Sequence, residues 1–138
     1  MLNFSYVKPN SVAEACAFLA QQGEKAKVLA GGTDLVVQIR EKSRKLQNMA
    51  YVVDISGLSD LKGIREENGK VVLGALTTHA EVAASPLIRQ VAPLLAHACS
   101  QVGGPQTRNM GTIGGNICNA SLSADSVTAF VALDTVLT

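Results

Sequence analysis

A pair of adjacent glycines that occurs twice in similar surroundings constrains this chain more than any other feature. Gly31-Gly32 lies in the first glycine motif (residues 30–34), and Gly114-Gly115 lies in the second glycine motif (residues 112–116), about eighty positions later. Adjacent glycines permit positive φ angles and leave backbone N–H groups uncovered, so a ligand can lie against the main chain. The repeated chemistry predicts two walls of one anion-binding cleft, whose natural occupant is a dinucleotide with its pyrophosphate.

The composition excludes several classes of protein. The chain has 138 residues, of which 47% are hydrophobic and 17% are charged, so it can form one domain or two small lobes with a real core. Twelve Lys and Arg against eleven Asp and Glu give a net charge of +1, which argues against nucleic acid and anionic membranes as partners. Since the N-terminus lacks the features of a signal peptide and every apolar run is too short to span a membrane, we expect a cytoplasmic protein.

The three cysteines point away from metal binding. Cys16, Cys99 and Cys118 are far apart and form no C-x-x-C pair, so neither a zinc site nor an iron–sulfur site is predicted. Cys16 and Cys99 lie in apolar helical patterns and are expected to be small core residues. The two histidines, His79 and His97, have no suitably spaced partner for a metal site or a nucleophilic pair.

The alternation of strand and helix patterns predicts an α+β or α/β fold. Capping boxes at Ser11–Glu14 and Thr78–Glu81 each open a helix, and Asn68-Gly69 is a strong hairpin signal. Residues 41–47 are expected to be an exposed loop, and residues 106–119 a long aperiodic loop of the kind that is usually functional. Strands are predicted at residues 4–8, 27–30, 51–55, 62–67, 71–74 and 135–138, and further helices at residues 35–42, 91–102 and 124–133, the last capped by Ser123.

Each glycine motif has two interpretations. The first follows a strand and precedes a helix, which suits a phosphate, but its spacing matches neither the Rossmann fingerprint nor the P-loop, and glycine also serves simple turns. In the second, Ile113 can pack on a flat ring and Asn116 can donate or accept a hydrogen bond. Arg108 is a candidate for a phosphate contact or a surface ion pair. Asp125 is either a first-turn carboxylate or an acceptor for a sugar or ribityl hydroxyl.

No general acid or base with a matched partner is visible, so no catalytic residue and no metal ligand is predicted. The chain is therefore interpreted as a protein that holds a cofactor, which performs the chemistry.

The chain resembles a known family along nearly its whole length. The residues that carry the resemblance are Lys27, Val28, Leu29, Ala30, Gly31, Gly32, Thr33 and Asp34, then residues 103–119 (GGPQTRNMGTIGGNICN), then Ser123, Ala124 and Asp125. They resemble the FAD-binding medium subunit of molybdenum hydroxylases, which include xanthine, carbon monoxide and nicotinate dehydrogenases. Residues 112–125 look most like bacterial xanthine dehydrogenase subunits.

The resemblance implies an α+β fold, the two-lobed FAD-binding domain of the vanillyl-alcohol-oxidase (PCMH) type. Its first lobe would span residues 1–50 and its second lobe residues 51–138. The second lobe would be incomplete, with the family's C-terminal domain absent. The cofactor-binding residues that it implies are Lys27, Val28, Leu29, Ala30, Gly31, Gly32, Thr33 and Asp34 around the pyrophosphate, Gly111, Thr112, Ile113, Gly114, Gly115 and Asn116 opposite them, and Asp125.

The implied function is electron relay. A partner subunit with a molybdenum cofactor would oxidise the substrate, a second partner with 2Fe-2S clusters would pass electrons on, and FAD held by this chain would deliver them to NAD or another acceptor. Two alternatives remain open: a stand-alone flavin oxidoreductase of the same fold, and a flavin-free module that assists assembly of the same complex.

Overall fold

The computed structural model describes residues 3–121 and 123–138, which divide into two compact units. The first unit ends at Asp60 and the second begins at Leu61. The division falls later in the sequence than the expected lobe boundary after Ala50. The reason is that the strand Tyr51–Asp54 pairs with two strands that precede it in the chain.

The first unit is built on a three-stranded parallel sheet. Its elements are β1 (Ser5–Val7), α1 (Val12–Gln22), β2 (Ala26–Leu29), α2 (Leu35–Arg40) and β3 (Tyr51–Asp54). The strand order is β1-β3-β2, so β3 is central, and its Val52 and Val53 are buried. A central parallel strand is covered on both faces, which explains its apolar sequence.

Helix α1 follows its predicted limits but has only half of the predicted capping box. The Ser11 side chain accepts from the Glu14 amide at 3.1 Å, and Gly23, with φ of 54°, ends the helix. The Glu14 carboxylate instead accepts from the backbone amide of Asn10 at 2.7 Å. The core prediction for Cys16 is wrong: Cys16 is exposed, and Ala15 is the buried residue of this helix.

Residues 41–47 are not simply an exposed loop. Arg44–Leu46 forms a short 3-10 turn whose Leu46 is only 2% exposed. Leu46 joins Met49 and Val52 in a small buried cluster. The polar composition of this segment therefore gave no indication that Leu46 packs in the core.

The second unit consists of one hairpin and six short helices. Its elements are β4 (Ile64–Glu67), β5 (Lys70–Leu73), α3 (His79–Ala84), α4 (Pro86–Val91), α5 (Pro93–Gln101), α6 (Pro105–Met110), α7 (Ile113–Asn119) and α8 (Asp125–Ala132). The hairpin is confirmed: β4 pairs antiparallel with β5, and Asn68 and Gly69 have φ of 51° and 73°, as a two-residue hairpin turn requires. The capping box of Thr78 and Glu81 is also confirmed.

The core of the second unit lies among its helices. Cys99 is fully buried there, as predicted, and burial raises the pKa of its thiol to about 12. The thiol is therefore neutral and acts as a small apolar group. The buried members of this core are Val82, Ile88, Leu95, Ala96, Cys99, Ile113, Ala129 and Phe130.

Three predictions for this unit need correction. The helix expected over residues 91–102 is α5, but it begins at Pro93, because proline suits the first helical position, and Val91 instead ends α4. Helix α8 has Ala124, not Ser123, at its N-cap position. Residues 135–138 form no strand and are exposed. No helix among the described residues is long and apolar enough to cross a membrane.

Candidate functional site

The first glycine motif links β2 to α2 through a turn that only glycine fits. Gly32 has φ of 74°, in the left-handed region that favours glycine. A Cβ at this position would lie 3.1 Å from Cδ1 of Leu29 and 3.2 Å from Cγ2 of Val36. Any side chain here would therefore combine backbone strain with crowding against methyl groups of Leu29 and Val36.

The backbone amides of this turn remain available as donors. Within residues 3–121 and 123–138, the amides of Gly31, Gly32 and Thr33 donate no hydrogen bond to a backbone or side-chain acceptor. The Gly32 carbonyl, by contrast, accepts from the Val36 amide at 3.0 Å. Because backbone donors are rarely left without an acceptor, consecutive available amides favour an anionic ligand.

The preceding strand contributes differently. Lys27, Val28 and Leu29 pair with β3, so their backbone is held by the sheet. Asp34 stands at the N-cap position of α2, where its side chain makes no capping hydrogen bond. The available N–H donors of residues 27–34 are therefore those of the turn at residues 31–33.

The second glycine motif is a helix, contrary to the expected aperiodic loop. Thr112 is the N-cap of α7, and its Oγ1 accepts from the Gly115 amide at 3.1 Å. Residues 105–110, also expected in that loop, form α6. Each of these helices is only six or seven residues long, and such short segments show no sustained period in the sequence.

Four of the five backbone amides of the second motif, those of residues 113–116, are already used. The Ile113 amide donates to the Thr77 carbonyl at 2.9 Å, and the Gly114 amide donates to the Ala75 carbonyl at 2.8 Å. The amides of Gly115 and Asn116 bond to Oγ1 and the carbonyl of Thr112, respectively. The two motifs are thus alike in sequence but not in chemistry: the second does not offer a row of bare N–H groups.

The paired glycines of the second motif also have different surroundings. A Cβ on Gly114 would lie 2.8 Å from both the carbonyl oxygen and the Cβ of Ala75, whereas a Cβ on Gly115 would meet only Oγ1 of Thr112, at 3.0 Å. Gly114 is therefore a packing residue. Ile113, expected beside a flat ring, is 4% exposed and belongs to the core of the second unit.

The Asn116 side chain can form hydrogen bonds beyond the one that it makes within the protein. Its Oδ1 accepts a hydrogen bond of 2.6 Å from the hydroxyl of Ser126 on α8, and Ser126 is 0% exposed. Ser126 escaped the sequence analysis because its burial, which requires a hydrogen-bond partner for the hydroxyl, is visible only in the structure. Asp125, the neighbouring candidate, is exposed at the first position of α8.

His79, the first residue of α3, is buried next to Gly111, which precedes the second glycine motif. It is 2% exposed, its amide donates to the Gly111 carbonyl at 3.1 Å, and among the described residues its Nδ1 has no hydrogen-bond partner. Burial lowers the pKa of His79, and the negative charge of Asp125 partly opposes this shift. The imidazole is therefore neutral near pH 7.

Among the described residues, Arg108 does not form the surface ion pair that was one of its two expected roles. Its Nη1 donates to the carbonyls of Val102 and Gly103, at 3.1 and 2.7 Å, and so holds the turn between α5 and α6. Within the described ranges, no group of three or more His, Cys, Asp or Glu side chains is arranged to hold a metal ion.

A family model matches almost the entire chain. The model describes the FAD binding domain in molybdopterin dehydrogenase, and it matches residues 2–138.

Characterised relatives agree with this match. The chain is 38% identical to the carbon monoxide dehydrogenase medium chain of Hydrogenophaga pseudoflava over 95% of its length. It is 39% identical to the nicotinate dehydrogenase FAD-subunit of Eubacterium barkeri over 97%, and 37% identical to a putative xanthine dehydrogenase FAD-binding subunit of Escherichia coli K12 over 96%. The alignments cover 45%, 45% and 44% of these relatives, so the chain spans less than half of their length.

Solved structures share the fold. A Cu,Mo-CO dehydrogenase chain matches with a TM-score of 0.83 and 36% identity, over 91% of this chain and 43% of that one. Quinoline 2-oxidoreductase from Pseudomonas putida 86 matches with a TM-score of 0.82 and 29% identity, over 91% and 42%. These likenesses confirm the mixed helix-and-sheet, FAD-binding fold.

Proposed function

Because this chain belongs to the family of FAD-binding domains of molybdopterin dehydrogenases, we propose that it binds FAD as the flavin-carrying part of a molybdenum hydroxylase. The observation that carries the proposal is the row of available amides at Gly31, Gly32 and Thr33 in a turn that excludes side chains. Such a turn suits a pyrophosphate, which needs close approach and several donors at once.

The residues present fit FAD, though unequally. Gly31, Gly32 and Thr33 would supply the main-chain donors for the pyrophosphate. In the second motif, the amides of residues 113–116 are occupied, so Asn116 would contribute through its side chain. Asp125 would accept from a hydroxyl of the cofactor. The full proposed set is Lys27, Val28, Leu29, Ala30, Gly31, Gly32, Thr33, Asp34, Gly111, Thr112, Ile113, Gly114, Gly115, Asn116 and Asp125.

FAD, when bound, supplies redox chemistry that no protein side chain provides. In the proposed complex, electrons come from the 2Fe-2S clusters of a partner subunit, after substrate oxidation in a molybdenum-cofactor subunit, and leave to NAD or another acceptor. This chain holds and orients the cofactor. We propose a cytoplasmic, xanthine dehydrogenase-like complex, in line with the family and with the uses named for the relatives.

The direct test is retention of FAD by the full chain. The purified protein is mixed with FAD and desalted, and its absorption spectrum and dissociation constant are measured. Gly32→Ala should weaken FAD binding at least tenfold, because the new Cβ strains the turn and crowds Leu29 and Val36, which displaces the turn that carries the donors.

Gly69→Ala is the matched control. Gly69 has φ of 73°, nearly the angle of Gly32, but a Cβ there would meet nothing within 4 Å. Both variants should lose a similar amount of stability from backbone strain, and only Gly32→Ala should lose FAD. A folded wild-type chain that retains no FAD would contradict the proposal and favour the assembly module. Equal FAD affinity in both variants would remove the first motif from the site.

A further inference from the structure

The structure assigns Ser126 as the positioning residue that turns the carboxamide of Asn116 into a hydrogen-bond donor for the cofactor. This inference rests on the proposed function, since it names how one side chain of the second motif meets FAD. It depends on a contact between α7 and α8 that joins residues ten positions apart. Neither residue type by itself would indicate the direction of that bond.

The direction of the Ser126–Asn116 bond follows from burial. The Ser126 hydroxyl is 0% exposed, and Oδ1 of Asn116 lies 2.6 Å away. If the carboxamide were reversed, its Nδ2 would donate to the hydroxyl, and the hydroxyl hydrogen would lose this acceptor in a buried place. A buried donor without an acceptor costs more than an ordinary hydrogen bond contributes. The orientation with Oδ1 toward Ser126 is therefore favoured.

The consequence concerns what Asn116 can offer. With Oδ1 engaged by Ser126, the Nδ2 group is the part of the carboxamide left for a ligand, and it can only donate. Asn116 is half-buried, so it retains some access to solvent and to a ligand. Since the amides of residues 113–116 are bonded within the protein, this side chain adds a donor that the backbone of α7 does not supply. Its match on FAD is an acceptor, such as a phosphate or carbonyl oxygen.

The test is a double-mutant cycle on FAD affinity in the full chain. Ser126→Ala should weaken FAD binding about fivefold to tenfold, because the carboxamide is freed to rotate. Asn116→Ala should weaken it at least as much, and the double variant should bind like Asn116→Ala alone. If Ser126 served only the packing of α8, its effect would persist in the Asn116→Ala background.

Two further variants sharpen the cycle. Asn116→Asp keeps an acceptor for Ser126 but replaces the N–H donor with a negatively charged carboxylate oxygen, so FAD affinity should fall although the buried bond remains. Thr128→Ala is the control on the same helix: it deletes an exposed hydroxyl that lies 3.5 Å from the Ala124 carbonyl, and FAD affinity should not change. Circular dichroism of each variant establishes that it is folded.

The outcomes separate this inference from the proposed function. If the wild-type chain binds no FAD, both fall together. If it binds FAD and Ser126→Ala binds equally well, or if the two single effects simply add, the positioning role of Ser126 is overturned while the proposed function stands. Unchanged affinity in Asn116→Asp would likewise overturn the donor role.

Discussion

At the scale of single residues, the glycines of the two Gly-Gly pairs are required for different physical reasons. Gly32 is required by its positive φ, whereas Gly114 is required by the approach of Ala75 to 2.8 Å. Gly115 has more room, and only Oγ1 of Thr112 lies near its missing Cβ. The sequence predicts that these positions matter, but the reason for Gly114 could not be predicted, because its deciding neighbour Ala75 is far away in the sequence.

This difference predicts unequal costs of substitution within the second motif. Gly114→Ala should lower the free energy of unfolding by about 1–2 kcal/mol, since a clash of about 2–3 kcal/mol with the backbone of Ala75 exceeds the helix-propensity gain of about 1 kcal/mol. Gly115→Ala should be nearly neutral, because the same gain offsets a weakened Thr112 cap worth about 1 kcal/mol. Urea denaturation followed by circular dichroism measures both. Equal costs would contradict the packing role of Gly114.

At the scale of elements, the sequence predicted those whose signal is contained in a few consecutive residues. The Asn68-Gly69 hairpin and the Thr78 capping box carry their information within four residues, and both were predicted correctly. Helices α6 and α7, of six and seven residues, are too short to show a repeating helical pattern, and the glycines and polar residues inside them are typical of loops. Helix α7 is stabilised by hydrogen bonds that its amides donate to the carbonyls of Thr77 and Ala75, and a local sequence pattern cannot show these bonds.

The buried histidine of α3 predicts an acid-sensitive second unit. His79 is neutral in the folded state because burial lowers its pKa from the ordinary value of 6.5, and Asp125 opposes this only in part. In the unfolded chain the imidazole binds a proton as the pH falls below about 6.5, so protonation favours unfolding. The free energy of unfolding should therefore fall, by at most about 1.4 kcal/mol per pH unit, until the folded pKa is reached.

Variants identify His79 as the source. Urea denaturation between pH 7 and pH 5 should show the fall in the wild-type chain and a shallower fall in His79→Asn. His97→Asn, which removes the exposed histidine of α5, should retain the wild-type slope. A His79→Asn slope equal to that of the wild type would show that other groups set the acid sensitivity.

At the scale of the whole molecule, the family and the fold could be predicted from the order and spacing of three motifs, whereas the limits of the two units could not. The expected boundary after Ala50 followed the polar composition of residues 41–47. The actual division lies after Asp60 because β3 pairs in parallel with β1 and β2. Parallel partners are distant in sequence, so pairing of this kind leaves no local mark.

The last prediction concerns the proposed ligand, since the residues proposed to bind it are drawn from both units. A ligand that binds only folded residues stabilises what it binds, by about 2.7 kcal/mol when free FAD is at one hundred times its dissociation constant. If FAD requires the first motif and Asn116 together, the amides of buried Val53 in the first unit and Val82 in the second should both exchange more slowly with FAD. Gly32→Ala should remove the protection in both units, since both depend on one binding event. Protection confined to Val53 would mean that the first motif binds FAD alone and that the second glycine motif is structural.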